Sequence, residues 1–362
     1  MKAVRKIIAI GTTLSMLLLL PACLPFVENK TVEELAPVIF WSLDQTDEGQ
    51  FTISTIVPPL IKEKKHLLSQ NVSMIKQGGN NFNLVYNREL KMGQLRMLFI
   101  NKKLAKKGIG ELLSSMIVDP DISHHLYLAI AEGDLNSYLA AQINKQENLD
   151  YYLYRMFKHY EKNNQGELTI INLHHYLKDL HAPLANPILP SFKASKDKFE
   201  YEGTSLFNKD KLVTTVKQKD EKLLQLINNN HYVKYFPIPE HHVTIGHMRA
   251  KVHKKLNKNF SELTIKLKLT GRLEEYRGNK NIYEQKQFEA HVKELENFME
   301  NQIAALFAKL QQWDVDPFHI GELTISPWAK PISKAEWQII WSRMKVKVDC
   351  SIELTPLINV KM

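Results

Sequence analysis

Apolar and polar side chains alternate strictly over residues 263–270, with Leu263, Ile265, Leu267 and Leu269 set against Thr264, Lys266, Lys268 and Thr270. The same period of two returns near the C-terminus, where Val346, Val348, Cys350, Ile352 and Leu354 alternate with Lys345, Lys347, Asp349, Ser351 and Glu353. Such a period sends one set to a buried face and leaves the other in water, so both segments are predicted to be half-buried strands. Between them the period changes. Phe288, Val292, Leu295, Met299, Ile303, Leu306 and Leu310 recur at steps of three and four, which predicts one long amphipathic helix laying its stripe on that sheet. Ser333 and Glu336 have the spacing of a capping box and open a shorter helix that presents Trp337 and Trp341, both expected in the core.

The first half reads as mixed α and β. An apolar stretch over 38–43 predicts a first strand, and Phe51, Ile53, Thr55 and Val57 a second, across the Asp47-Glu48-Gly49 turn. Residues 62–83 are polar, contain Gly78-Gly79, and are expected to be an exposed connection. The apolar run 95–100, helical spacing over 102–107 and 111–118, and a strand-like run 126–131 predict a parallel crossover. Asp134 is a good N-cap for the next helix, and further helices are expected over 149–163 and 168–180. Pro183, Pro187 and Pro190 then forbid a continuous helix, which places a boundary there. The fold class expected is α+β, with at least two mixed α/β domains, the C-terminal one a long helix packed on a largely antiparallel sheet.

The N-terminus reads as an address. Lys2, Arg5 and Lys6 precede an apolar run over 7–20 that is shorter than the roughly 20 residues a spanning helix needs. The run ends in Leu20-Pro21-Ala22-Cys23, which resembles the bacterial lipobox. The expected organisation is a lipoprotein signal peptide over 1–22, an N-terminal domain over 23–190 that divides further, and a C-terminal domain over 191–362. Cys23 is the expected lipidation site: a thiolate can carry a thioether-linked diacylglycerol, and each buried methylene adds roughly 0.8 kcal/mol of membrane affinity.

With 362 residues, 44% of them hydrophobic and 24% charged, the chain falls outside the disordered and many-span membrane classes. Its formal charge of +9 favours acidic partners. Lysines crowd residues 193–222 and 251–268, the makings of a solvated basic face that could lie near anionic headgroups. Nucleic acid is not expected as a partner, since such binding calls for a cytoplasmic address and the leader directs export. The two cysteines, Cys23 and Cys350, make no disulfide framework.

Candidate chemistry is sparse. Among fourteen histidines, His124-His125, His174-His175 and His241-His242 are adjacent pairs, which diverge by about 100° on a helix and point to opposite faces of a strand. His174 and His181 could share a helix face, yet no carboxylate or cysteine completes a set, and no metal is expected. Asp314 and Asp316 bracket Val315 in what reads as a helix-to-loop turn rather than an acid–base pair. No nucleophile elbow, P-loop or dinucleotide fingerprint occurs, so neither catalysis nor a cofactor is expected.

Several ordered segments together carry a resemblance. They are Glu33-Glu34-Leu35-Ala36, Glu89-Leu90-Lys91-Met92-Gly93-Gln94-Leu95-Arg96, Asp119-Pro120-Asp121 and Ala131-Glu132-Gly133, then Tyr201-Glu202-Gly203-Thr204-Ser205-Leu206-Phe207 and Trp313-Asp314-Val315-Asp316-Pro317-Phe318 with Gly321-Glu322. In this order, after the lipobox-like cysteine, they resemble the Ger(x)C spore germination lipoproteins, the GerAC-like C subunits of nutrient germinant receptors. Leu24-Pro25 departs from the Trp-Asp that commonly follows the family's acylated cysteine. The resemblance implies a non-enzymatic subunit, acylated (a palmitate-type anchor) at Cys23. It would sit on the extracytoplasmic face of the spore inner membrane beside a polytopic A subunit and a permease-like B subunit. A rival reading is a solute-binding lipoprotein that feeds a membrane transporter, for which two similar α/β lobes around a cleft would be expected.

Overall fold

The computed structural model describes Arg5, Gly11 and residues 32–46, 50–59, 64–143, 149–163, 165–228, 232–326 and 330–356. Most of the expected leader, Cys23 and the expected Asp47-Glu48-Gly49 turn lie outside the described residues. After a 3-10 turn at Val32–Glu34 come β1 (Leu35–Pro37), β2 (Phe40–Gln45), β3 (Phe51–Val57), β4 (His66–Val72), α1 (Ile75–Val85), β5 (Glu89–Lys91) and β6 (Met97–Asn101). They are followed by α2 (Lys102–Lys107), α3 (Gly110–Ile117), β7 (Tyr127–Gly133), α4 (Leu135–Gln142), α5 (Leu149–Lys162) and α6 (Leu173–His181). Next are β8 (Ile188–Ala194), β9 (Phe199–Asn208), β10 (Lys211–Lys217), α7 (Gln218–Ile227) and β11 (Tyr232–Ile238). The chain ends in β12 (Val243–Leu256), β13 (Glu262–Tyr276), α8 (Gln285–Gln312), α9 (Lys334–Arg343) and β14 (Lys345–Thr355).

One sheet has the order β10-β9-β8-β7-β6-β2-β3-β4. Its centre, β2, β6, β7 and β8, is parallel, and both flanks are antiparallel. The central strands are apolar at successive positions because both faces are covered. Leu98, Ile100, Leu128 and Ile130 pack with Ala105, Leu113, Met116 and Tyr176 of α2, α3 and α6, whereas Met97, Phe99, Tyr127 and Ala129 pack with Tyr138, Leu139 and Phe157 of α4 and α5. The crossover expected between 95 and 131 is β6–α2–α3–β7, and it is parallel. Asp134 caps α4 by accepting the Ser137 N–H at 2.8 Å.

Three expectations shift. Residues 62–83 are not a plain connection: they hold β4, an edge strand, and most of α1. Both are largely wet, which is why the segment reads as polar, and Gly78 is small because a Cβ there would sit 2.4 Å from Ile53 Cδ1 across the helix–sheet contact. The helix expected from residue 168 starts at Leu173, with Asn172 as its N-cap. The preceding residues run extended beside β7, where Leu128 N–H donates to Ile171 O at 3.0 Å. The boundary expected after Pro190 falls inside β8, and the sheet continues through β9 and β10. The strand tolerates Pro190 because β7 begins to pair with β8 only at Ser191.

The second sheet, β11-β12-β13-β14, is antiparallel except for the β13–β14 pair, whose parallel register requires the crossover that α8 and α9 supply. This is the α+β arrangement expected, a long helix on a largely antiparallel sheet. Helix α8 buries Leu295, Met299, Ile303, Leu306, Phe307 and Leu310, each worth roughly 1.5–3 kcal/mol once out of water. The Ser333–Glu336 capping box forms. Trp337 and Trp341 are buried and stacked, with ring centroids 5.8 Å apart.

Candidate functional site

Among the described residues no helix is long and apolar enough to cross a membrane. What the described residues offer is a set of joints and faces.

The first joint is the turn after α8. Asp314 has a left-handed backbone, φ 54°, and its carboxylate accepts from Asn208 Nδ2 at 3.1 Å and Gln338 Nε2 at 2.5 Å. Asp316 is buried. Its carboxylate accepts the Gly321 N–H at 2.8 Å and the Phe318 N–H at 3.3 Å, while its own N–H donates to Asn186 Oδ1 at 2.8 Å. Burial pushes the Asp316 pKa up to about 6, against the pull of these N–H groups. His319 is held above the usual histidine value, chiefly by Asp179, 3.6 Å from Nε2. The two acids thus bind this chain's own donors and fasten the helical crossover to the β8–β9 side of the first sheet.

The second joint is polar and buried. Glu221 Oε1 accepts from Tyr201 Oη at 2.5 Å, Thr204 Oγ1 at 2.9 Å and Gln225 Nε2 at 2.9 Å, and Gln225 also donates to Thr169 Oγ1 at 2.5 Å. Burial raises the Glu221 pKa, and the same burial lifts the Tyr201 phenol well above its ordinary value. The resemblance-bearing residues Tyr201, Gly203 and Thr204 therefore belong to the seam between β9, β10 and α7. Gly203 has φ 149°, and a Cβ there would meet Val216 O at 1.9 Å, so only glycine fits.

The lysines of the second sheet share one wet face. Register sets Lys251 opposite Lys268, His253 opposite Lys266, and Lys255 opposite Thr264, which in turn faces Lys347 on β14. Lys266 pairs with Asp349 at 3.6 Å and Lys268 with Glu353 at 2.6 Å, while Lys251, Lys255 and Lys347 stand exposed outside those pairs. Lys254 points inward instead, donating to Phe318 O at 3.2 Å, and burial lowers its pKa.

On the first unit, a groove of about 520 Å³ runs between α1 and α3, lined by Ile75, Leu112, Met116 and Ile122, with Met74 and Val118 largely exposed at its rim.

His124, His125, His174, His175 and His181 are exposed, and His242 leaves its turn with φ 53°. His241 faces inward, however, and meets His291 and Glu294 of α8, with one donor atom from each residue within 4.8 Å of the others. The spacing of His291 and Glu294 puts them on one helix face, but nothing local in the sequence announces His241 as their neighbour. The Cys350 thiol is buried and its pKa is pushed up to about 12, mainly by desolvation, which leaves it inert.

Two family models match this chain in order. The spore germination protein N-terminal domain matches residues 28–194, and the spore germination B3/GerAC-like C-terminal domain matches residues 202–356. The spore germination protein GerQC of Bacillus cereus is 22% identical over 276 residues, which cover 74% of this chain and 75% of that protein. The crystal structure of the GerBC protein aligns with a TM-score of 0.53 at 17% identity, covering 87% of this chain and 96% of that one. At that identity the likeness is one of fold.

Proposed function

The chain belongs to the GerAC-like family of spore germination proteins, and from that premise we propose that it is the lipid-anchored, non-enzymatic C subunit of a nutrient germinant receptor. In this reading diacylglycerol and an acyl chain on Cys23 hold the protein on the extracytoplasmic face of the spore inner membrane. There it is required for germination through contacts with membrane-embedded A and B subunits. The observation that carries the proposal is the ordered match of both family domains behind a lipobox-like Leu20-Pro21-Ala22-Cys23. Two or more acyl chains, at roughly 0.8 kcal/mol per buried methylene, keep a globular chain on a bilayer without a spanning helix, where a single chain would bind only marginally. The wet lysine face of β12, β13 and β14 supports an orientation towards anionic headgroups. The rival of a solute-binding lipoprotein is weakened by the architecture, because an eight-stranded and a four-stranded sheet do not make two similar lobes.

Cys23→Ala tests the anchor. The variant should move from the membrane fraction to the soluble one, and mass spectrometry of the native protein should find a thioether-linked lipid on Cys23. An intact leader with an unmodified thiol would refute the anchoring. Spores lacking the gene should lose the response to at least one nutrient when other receptors are also deleted, and an undiminished response to every nutrient would refute the receptor role.

A further inference from the structure

His291 lies on the second turn of α8 and is 4% exposed, yet neither of its ring nitrogens has a hydrogen-bond partner. Buried polar atoms are normally satisfied, so two orphaned nitrogens on one buried ring call for a ligand. Two of the side chains beside it carry donors that bind metals. Glu294 brings Oε2 to 3.6 Å from His291 Nδ1. His241, from the turn Pro239–His241 between β11 and β12, stands with its ring centroid 6.1 Å away. Two aromatic side chains wall the group: Tyr276 lies 5.2 Å from the His291 ring and Phe298 lies 4.8 Å from the His241 ring, centroid to centroid.

We propose that His241, His291 and Glu294 form a three-ligand site for a divalent transition metal, with Zn²⁺ the ion whose chemistry fits the donors best. Two imidazoles and one carboxylate match Zn²⁺ and its neighbours in the Irving–Williams series, whereas Mg²⁺ and Ca²⁺ want an all-oxygen shell. Tetrahedral bonds of roughly 2.0–2.1 Å set donor atoms about 3.4 Å apart. To bind, the 4.8 Å spread must close to that distance, and the exposed Glu294 and half-buried His241 are the side chains that would have to rotate. The Lys280 ammonium contacts the Glu294 carboxylate. That makes the lysine a competitor for the ion. A bound metal would tie the β11–β12 corner to α8 and leave a fourth position open to water or to a donor from a partner.

The test is calorimetric titration of chelator-treated full chain with ZnCl₂, followed by thermal unfolding with and without Zn²⁺, and with Mg²⁺ in its place. The expected result is one equivalent bound, a higher melting temperature with Zn²⁺ and none with Mg²⁺. H241A and E294Q should each weaken binding at least tenfold, and K280M should tighten it. Both weakened variants alter side chains outside the core, so their folds should survive. The proposal is overturned if no stoichiometric uptake occurs, or if H241A and E294Q bind as wild type does, which would place the ion on other histidines. Equal stabilisation by Mg²⁺ would also overturn it.

Discussion

Glu300 Oε1 accepts the Cys350 N–H at 2.9 Å, and one helical turn earlier Glu296 Oε1 accepts the Ile352 N–H at the same distance. Strand β14 is the edge of its sheet, so these N–H groups face away from β13 and would otherwise offer a template for another chain. The helix that covers the sheet thus also closes its edge. E296A/E300A should destabilise the protein by about 2–3 kcal/mol in chemical unfolding, since each substitution strips a charged acceptor from an amide shielded by α8. Amide exchange should quicken at Cys350 and Ile352 and leave β12 unchanged. Unaltered exchange at both positions would mean that the carboxylates do not guard the edge.

The turn that holds α8 to the first sheet should make stability fall as pH rises through mild acidity. The Asp316 pKa rises from 3.8 to about 6 on folding, so the folded state binds the proton more tightly. Its stabilisation is fully present below about pH 4 and is lost by about pH 6, on the order of 3 kcal/mol in all. His319, also raised in the fold, adds a loss of the same sign as pH climbs through its own titration. Lys254 faces the same turn, but its lowered pKa starts from 10.5, outside this window. In D316N the difference in unfolding free energy from wild type should shift in the variant's favour from pH 4 to pH 6.5. A difference that stays flat across that range would show that Asp316 is ionised throughout.

G203A should be among the most damaging single-methyl changes in the chain. Its Cβ would press on Val216 O of the paired strand β10, and its φ lies where L-residues rarely go, so a loss of roughly 2–4 kcal/mol is expected. The loss should appear as a lower denaturant midpoint with unchanged m-value. A midpoint within experimental error of wild type would mean that the β9–β10 seam can open to admit a side chain.

How far the fold could be read in advance depended on whether burial was one-sided. Strands β13 and β14 and helix α8 each bury one face and wet the other, so their periods of two and of three to four stand out in Leu263–Leu269, Val346–Leu354 and Leu295–Leu310. Strand β4 and helix α1 bury little, and Gly78-Gly79 within them looks like loop chemistry until Ile53 is seen against the helix. Residues 168–172 carry Thr169, Ile170 and Ile171, β-branched residues that favour an extended chain ahead of α6. The Asp314–Asp316 turn was legible as a turn, but its anchor Asn186 was not. Nor was the meeting of His241 with His291, because contacts made across a hairpin and a crossover leave no local spacing to find.

The proposed seat on a membrane makes the wet face of the second sheet a measurable electrostatic surface. Lys251, Lys255 and Lys347 share that face with the paired Lys266 and Lys268. A lysine close to anionic headgroups is worth roughly 1 kcal/mol, so loss of the three charges alone weakens binding about 100-fold, and K251E/K255E/K347E, which reverses them, should weaken binding to vesicles by more than that. The measurement belongs in a Cys23→Ala background, where no acyl chain masks the charge, using phosphatidylglycerol vesicles at low salt. Wild-type lysines should give binding that fades as ionic strength rises, because the Debye length shortens to about 8 Å at physiological salt. Neutral phosphatidylcholine vesicles should bind neither protein. If the triple reversal binds anionic vesicles as well as its parent does, this face looks away from the bilayer, and the lysines serve only to keep the sheet's outer surface in water.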